Sequence, residues 1–178
     1  MKKETPAGFH RHPNGGGLVQ DTAYVESSAY VGKDAQVYGN ALVAGNALVA
    51  GNAQVFGNAQ VAGNAQVSGN VWVYGDARVF GNVRVFGNAQ VSGDAQVFGN
   101  AWDTSPPYFQ GSRHAMTLGS FTTISIGCHT YPIQHWLEHY QAIGRAEGYT
   151  KAQIAEYGMA LKMFAALAKF HQKKARVK

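Results

Sequence analysis

Val55-Phe56-Gly57-Asn58-Ala59-Gln60 is one unit of a hexapeptide repeat that runs through the first part of the chain. From Val19 to Trp102 the sequence divides without a gap into fourteen such units, and Val stands first in every one. Ala and Val lie two residues apart, so on an extended segment both side chains point to one face. Gly and Asn both tolerate positive φ, which predicts a corner after each short strand. A helix would need an apolar period of about 3.6, which this spacing does not supply.

The pattern Val-x-Gly-Asn-Ala-x resembles that of the hexapeptide-repeat family, and the resemblance covers 84 of the 178 residues. The fold of that family is a left-handed parallel β-helix with three hexads in each triangular coil, and its members usually form homotrimers. The resemblance therefore implies about 4.7 coils, which stack to roughly 20 Å at a strand spacing of ~4.8 Å.

Three hexads per coil predict that outward residues 18 positions apart stack on one another. One face would carry Tyr38, Phe56 and Tyr74 in line, beside Trp72. A continuous row of aromatic rings makes an apolar patch too large for a monomer to leave exposed to water. We expect these four residues to form a homotrimer interface; a platform on which a ligand stacks is the alternative.

The C-terminal part of the chain has no hexads and predicts a small β-β-α-α unit, so the fold class is mainly β with an α-helical tail. The predicted segments are a linker at 104–107, hairpin strands at 114–118 and 121–126, a helix at 132–148 and a second helix that begins after Thr150, its N-cap, and runs to about 173. The predicted domains are an N-terminal arm or cap, the β-helix and this C-terminal unit, at residues 1–18, 19–103 and 104–178.

The second predicted helix is apolar on two faces, which indicates that it packs on two sides. Its first stripe consists of Ile154, Tyr157, Leu161, Phe164 and Ala168. Its second stripe consists of Met159, Met163, Ala166 and Phe170. We expect Met159, Met163 and Phe170 to meet the β-helix or a neighbouring subunit.

The whole arrangement resembles a group of bacteriophage and prophage proteins that append a short β-β-α-α tail to hexapeptide repeats. The segments that carry this resemblance are 110–114, 126–129 and 136–140, which read Gln-Gly-Ser-Arg-His, Ile-Gly-Cys-His and Trp-Leu-Glu-His-Tyr. The resemblance implies an architecture and a phage origin far better than it implies an activity.

The repeat lacks the residues on which enzymes with a similar coil depend. Hexapeptide-repeat acyltransferases use a histidine base on or near a loop extruded from the coil, and γ-class carbonic anhydrases need three zinc-binding histidines from it. The hexads here run unbroken and contain no histidine. We therefore expect a protein that is not an enzyme and that holds no metal or cofactor, with a degenerate acyltransferase as a remote alternative.

Cysteine and histidine residues of the tail are further candidates for chemistry. Cys128, His129, His135 and His139 could form a Cys/His metal set, and His135 and His139 have the i,i+4 spacing of a helical metal pair. Because no Glu follows the first His, this signal is weak, and solvated or interface histidines are favoured. Cys128 follows a strand that looks buried and is interpreted as a core thiol.

Residues 110–114 hold the preferred candidates for ligand binding. Arg113 offers a planar guanidinium to a phosphate, Gly111 lets the backbone approach a ligand, and His114 adds a donor or a ring. The predicted ligand-binding residues are Gln110, Ser112, Arg113, His114, His129 and Tyr131, together with Trp102 as an exposed aromatic residue. The alternative is that Arg113 is an ion-pair residue of the surface or of an interface.

The positive charge of the C-terminal part is typical of a solvated helix face, and attraction to an anionic partner is the alternative. The net charge is +5, and seven of the 15 Lys and Arg residues lie in the stretch from Lys151 to Lys178. With the phage resemblance, this suggests a homotrimer that sequesters a small anionic nucleotide-type ligand in counter-defence, in pockets near the C-terminal domain or subunit boundaries. The alternative is a structural or protein-interaction module in which the β-helix is a rigid spacer.

Other partners are not favoured by the sequence. No aromatic-basic stacking motif accompanies the C-terminal bases, so we do not expect nucleic-acid binding. No run approaches the roughly 18 apolar residues of a membrane span, and no apolar segment of a signal peptide is visible. We expect a soluble protein in the cytoplasm of a bacterial host cell.

Overall fold

The structure is a computed structural model that describes residues 5–98, 101–102 and 105–176. The chain forms two compact units, Met1–Pro106 and Pro107–Lys178. The first unit is a β-solenoid, and the second is a small antiparallel sheet with two helices. The predicted boundary between residues 103 and 104 lies outside the described residues.

The solenoid consists of three sheets of very short parallel strands. The parallel strands of the first sheet are β2 (Leu18–Gln20), β5 (Gln36–Val37), β8 (Gln54–Val55), β11 (Trp72–Val73) and β14 (Gln90–Val91). Those of the second are β3 (Tyr24–Val25), β6 (Leu42–Val43), β9 (Gln60–Val61), β12 (Arg78–Phe80) and β15 (Gln96–Phe98). Those of the third are β4 (Tyr30–Val31), β7 (Leu48–Gly51), β10 (Gln66–Gly69), β13 (Arg84–Val85) and β16 (Ala101–Trp102).

Each strand pairs with the strand one coil later, and the paired residues lie 18 positions apart. Gln36 pairs with Gln54, and Val37 pairs with Val55. The first sheet repeats this step four times between Leu18 and Gln90, so the solenoid has about four turns. The register confirms the predicted parallel coil of three hexads.

The interior of the solenoid is filled by the alanine and valine of each hexad. Ala59 and Val61 are completely buried, and so are their counterparts one coil earlier, Ala41 and Val43. Valines of successive coils lie in register, as Val43 does with Val61. The prediction that Ala and Val share the inner face is confirmed, and their small side chains fit a narrow interior.

Glycine makes the corners because its backbone takes a conformation that other residues avoid. Gly57 has φ of +72°, and a Cβ atom there would lie 3.1 Å from the backbone nitrogen of Gly75. No described residue other than glycine has a positive φ. The expectation that asparagine also uses positive φ is therefore wrong.

Asparagine instead forms ladders of side-chain hydrogen bonds along the solenoid. Nδ2 of Asn64 donates to Oδ1 of Asn82 at 2.9 Å, and Nδ2 of Asn46 donates to Asn64 at 3.3 Å. Equivalent ladders join Asn52 to Asn70 to Asn88, and Asn40 to Asn58 to Asp76. The amide can both donate and accept, so one residue type serves every step of such a column.

Residues before the first hexad cover an edge of the first sheet. Strand β1 (Phe9–Arg11) pairs antiparallel with β2. His12 is 3% exposed, and its Nε2 lies 3.2 Å from the carbonyl oxygen of Glu26. The described part of the predicted N-terminal arm is therefore packed against the first coils.

The sheet of the C-terminal unit has four antiparallel strands in chain order. They are β17 (Tyr108–Gln110), β18 (Ala115–Leu118), β19 (Thr123–Ile126) and β20 (His129–Pro132). The predicted hairpin is confirmed, with Leu118 paired with Ile124. The predicted β-β-α-α order misses β17 and β20, because these short segments lie beside prolines and carry polar residues that weaken a strand signal.

Two helices complete the C-terminal unit, α1 (Ile133–Ala146) and α2 (Lys151–Arg176). Thr150 caps α2 as predicted: the backbone N–H of Gln153 donates to Oγ1 of Thr150, and the backbone N–H of Thr150 donates to Oε1 of Gln153. Leu161 and Phe164 of the first apolar stripe are buried. No helix in the described part of the chain is both long and apolar enough to span a membrane.

Candidate functional site

The aromatic stack, which we define as Tyr38, Phe56 and Tyr74, lies on the outer face of the first sheet. Ring centroids are 4.8 Å apart for the first pair and 5.0 Å for the second, and the rings are parallel within 3°. The hydroxyl of Tyr38 donates to Oε1 of Gln54, and burial raises the pKa of the Tyr38 phenol. The predicted stacking is confirmed, and neighbouring Trp72 is 43% exposed.

Trp102 is 1% exposed, so the expectation of an exposed aromatic residue is wrong. It pairs with Val85, which lies 17 positions earlier instead of the usual 18. The last coil is therefore one residue short, and Trp102 takes the register position of an inward valine. This burial removes the indole from the set of residues that a ligand could reach at the surface.

The second stripe of α2 is exposed, in contrast to the first. Met159 is 69% exposed, Met163 is 50% exposed and Phe170 is 63% exposed. One apolar face of α2 therefore packs within its own unit, and the residues of the other are exposed. An interface between subunits at this stripe stays a prediction.

Residues 110–114 are bound to α2 and to the turn that precedes it. The backbone N–H of Ser112 donates to Oε1 of Glu156 at 2.9 Å, and the Ser112 hydroxyl donates to Oε2. Nη1 of Arg113 donates to the carbonyl oxygen of Gly148 at 3.0 Å, and its guanidinium lies 4.8 Å from the ring centroid of Tyr149. These contacts give Ser112 a structural part that the sequence did not indicate, and those of Arg113 are a carbonyl oxygen and an aromatic ring.

The hydroxyl of Tyr157 fixes the backbone of the same segment. It accepts from the N–H groups of Arg113 and His114 at 3.2 and 2.6 Å, and it donates to the carbonyl oxygen of His114 at 2.6 Å. A Cβ atom on Gly111 would lie 2.3 Å from this hydroxyl. Gly111 therefore makes room for Tyr157, and not for a ligand as the sequence suggested.

A cavity lies inside the C-terminal unit, between the sheet and both helices. The space open to the centres of water molecules is about 50 Å³. Each water needs roughly 10–15 Å³ on this measure, so the cavity has room for about four. Its inner wall has a buried part, formed by Ile126, Trp136, Gly144, Tyr157 and Leu161, and a half-buried part, formed by Tyr140, Ile143, Tyr149 and Ile154. Its rim, where polar groups are exposed, is formed by His114, Cys128, His129 and Glu147.

The rim carries one direct polar pair. Nε2 of His129 lies 3.1 Å from Oε1 of Glu147, and a carboxylate can only accept, so this nitrogen carries the hydrogen. Behind the rim, burial and the neighbouring Tyr157 and Glu147 raise the pKa of Tyr149 to about 12, against the lowering effect of Arg113. The Tyr149 hydroxyl therefore stays protonated at neutral pH.

The structure brings together only part of the predicted ligand set. His114 and His129 both line the cavity. Tyr131 stacks on His129 with centroids 5.8 Å apart, outside the cavity, and Gln110 accepts a hydrogen bond from the hydroxyl of Tyr108. Glu147 and Tyr149 were missed, because neither belongs to a periodic pattern and their positions depend on the packing of α1 against α2.

The cysteine and histidine candidates for a metal site lie in different surroundings in the structure. Cys128 is exposed, so the expected core thiol is wrong: Gly127, with φ of +55°, turns the chain out of the sheet just before it. His135 and His139 stack with centroids 4.4 Å apart, and Nδ1 of His139 bonds to the backbone oxygen of His135. Among the described residues, no group of three His, Cys, Asp or Glu side chains is arranged to hold a metal ion.

Comparison with known proteins gives a match to the family described as YdcK beta solenoid repeat. Three segments match this family, at residues 35–51, 65–79 and 77–93. Neither a curated protein nor a solved structure matches the chain. All three segments lie within the stacked parallel coils, so sequence and structure agree on the kind of repeat. The chain therefore carries a β-solenoid of the hexapeptide-repeat kind, similar over these segments to the YdcK beta solenoid repeat.

Proposed function

We propose that this protein is a non-enzymatic, self-associating binding protein whose C-terminal unit holds a small ligand. The observation that carries the proposal is the cavity, because it joins a buried apolar interior to a polar rim that contains two predicted ligand residues, His114 and His129. Pockets of this composition are typical of small-molecule sites. The solenoid contributes assembly surface and no chemistry.

Self-association through the first sheet is the second part of the proposal. The aromatic stack and Trp72 form one apolar row, which supports burial against another copy. We expect a homotrimer of roughly 57 kDa, three times the 19.1 kDa chain. Phe56→Lys combined with Tyr74→Lys would bury charge in the proposed interface between subunits and should give monomers in light scattering. Gln60→Lys, at an exposed position of the second sheet, is the matched control and should leave the trimer intact.

An anionic nucleotide is the more specific ligand that the sequence suggested, and Arg113 supports it. Its guanidinium stacks on Tyr149, a residue that lines the cavity, so a phosphate at the rim would meet a positive charge. Glu147 at the rim and Glu156 on Ser112 oppose an anion at the same place. A counter-defence role, implied by the resemblance to phage proteins, stays a prediction.

A structural or protein-interaction module is the alternative, and the exposed stripe of α2 favours it. Native mass spectrometry of the purified protein separates the two functions, because it reports subunit number and retained small molecules together. A trimer that carries one small molecule per chain supports the binding protein. A protein that carries none, and that gains no thermal stability from any small-molecule library, contradicts it.

A further inference from the structure

The polar groups in the buried part of the cavity are already used by the protein. Nε1 of Trp136 donates to the carbonyl oxygen of Ile124 at 2.8 Å. The Tyr157 hydroxyl is engaged with backbone groups of Arg113 and His114. Trp136 and Tyr157 therefore offer only ring surface to a ligand, and the remaining buried wall is largely aliphatic. An occupant of this part gains from being apolar and loses if it carries a charge.

The space open to water centres suits an occupant of about one ring, and a larger ligand would extend out through the rim. Four water molecules occupy roughly 120 Å³ of liquid at ~30 Å³ each, which is the space of a small aromatic molecule. Trp136, Tyr140 and Tyr149 line this space. A flat ligand would therefore be held by ring contacts of the kind that aromatic side chains favour.

The rim offers a hydrogen-bond acceptor to a ligand. Nε2 of His129 donates to Oε1 of Glu147, and the Glu147 carboxylate, which can only accept, keeps further acceptor sites. The charges near the rim are this carboxylate and the Arg113 guanidinium, which lies against the ring of Tyr149. A neutral ligand with one N–H or O–H group can donate to Glu147, whereas a carboxylate or phosphate would meet the repulsion of Glu147 as well as the attraction of Arg113.

The geometry points to a small uncharged aromatic molecule with a single donor group, of phenol or indole type, as the ligand class of this cavity. This inference rests on the proposed function, since it specifies the ligand of the same site. It also departs from the anionic nucleotide that the sequence suggested. The ring would lie among Trp136, Tyr140 and Tyr149, with its donor directed to the rim.

The test compares phenol with benzoate, which has the same ring and a negative charge, by calorimetry on the full chain. We expect phenol to bind one site per chain at least ten times more tightly than benzoate. Glu147→Gln should reduce this difference to about threefold or less by improving benzoate binding. Cys128→Phe should fill the rim and abolish phenol binding, whereas Ala155→Phe, the matched control at an exposed position of α2 outside the cavity, should bind phenol like the wild type.

Each other outcome overturns a defined part of the inference. If benzoate or adenosine monophosphate binds as tightly as phenol and Cys128→Phe abolishes it, the ligand class is wrong and the binding function stands. If phenol binds Cys128→Phe as it binds the wild type, the cavity is not the site. If no probe saturates the folded wild-type protein at millimolar concentration, the proposed binding function fails as well.

Discussion

The solenoid and the C-terminal unit are held together in different ways. In the solenoid each contact recurs from one coil to the next, so Val43, Val61 and Val79 meet equivalent surroundings. In the C-terminal unit the main contacts occur once, as with the Tyr157 hydroxyl and its three backbone partners. Charge differs as well: residues 107–178 contain nine Lys and Arg against three Asp and Glu, whereas residues 1–106 contain six against seven. The solenoid is therefore stabilised by contacts that repeat in every coil, whereas the candidate site is formed by contacts that occur once.

The largest effect should come from a charge inside the repeat. Val67→Asp places a carboxylate among completely buried alanines and valines and should lower the free energy of unfolding by at least ~4 kcal/mol. Because each coil contacts only its neighbours, hydrogen exchange should rise first in the adjoining coils. Ser68→Asp is the control, since its side chain points outward and a change of less than ~0.5 kcal/mol is expected. Equal destabilisation by both would contradict the inward assignment of Val67.

A single hydroxyl should matter almost as much in the C-terminal unit. Tyr157→Phe leaves two N–H groups and one carbonyl of residues 113 and 114 without their partner. We expect a loss of about 2–3 kcal/mol in denaturant unfolding, confined to this unit. Tyr140→Phe is the matched change, because the Tyr140 hydroxyl accepts a long 3.3 Å bond from exposed Gln141, and it should cost less than ~0.5 kcal/mol. Similar losses for both would show that the hydroxyl network does not hold the segment.

Alkaline pH should destabilise the C-terminal unit by a smaller amount. The pKa of Tyr149 is raised from 10.0 to about 12, so the folded state binds this proton more tightly than the unfolded state. Stability is therefore fully present below pH 10 and falls as the pH rises from 10 to 12. Partial exposure of the phenol reduces the expected loss to about 1 kcal/mol. Tyr149→Phe should remove this pH-dependent loss, and an unchanged slope of stability against pH would contradict the assignment.

The smallest effect should come from one step of an asparagine ladder. Asn64→Ala removes two exposed side-chain hydrogen bonds, to Asn46 and Asn82, and should cost about 0.5 kcal/mol. Asn64→Asp keeps an acceptor for Asn46 and loses only the donor to Asn82, so we expect it to cost less than Asn64→Ala. Thermal melting of both variants measures the difference. A loss as large as that of Tyr157→Phe would mean that a repeated contact and an unrepeated contact contribute equally to the free energy of unfolding.

The sequence predicts the solenoid well because its information is local and repeated. A hexad such as Val55 to Gln60 specifies the inward residues, the corner and the register together, and the same pattern recurs in every coil. The role of asparagine was missed because it depends on a partner in the next coil, whereas tolerance of positive φ is a property of the residue alone. Helices α1 and α2 were predicted from periodicity and from the Thr150 cap.

The candidate site was predicted only in part because its residues come from unrelated segments. His114 and His129 were identified by residue type, and their shared cavity exists because β18 and β19 pair and the helices pack over them. Tyr157 was assigned to an apolar stripe, which is correct for its ring but does not reveal the use of its hydroxyl. Glu147 and Tyr149 lie near the end of α1, where no period constrains the sequence.

The shortened step that brings Trp102 opposite Val85 acts like a frameshift in the repeat. Insertion or deletion of one whole coil upstream would change the height of the solenoid and keep every face in phase. Insertion of a single hexad would move each later side chain to the neighbouring face and divide the aromatic stack between two faces. The step of 17 residues to Trp102 breaks this phase of 18, and Trp102 is the last residue of the parallel strands. Duplication can therefore lengthen this protein in whole coils without changing the 17-residue step at Trp102 or the unit that follows it in the sequence.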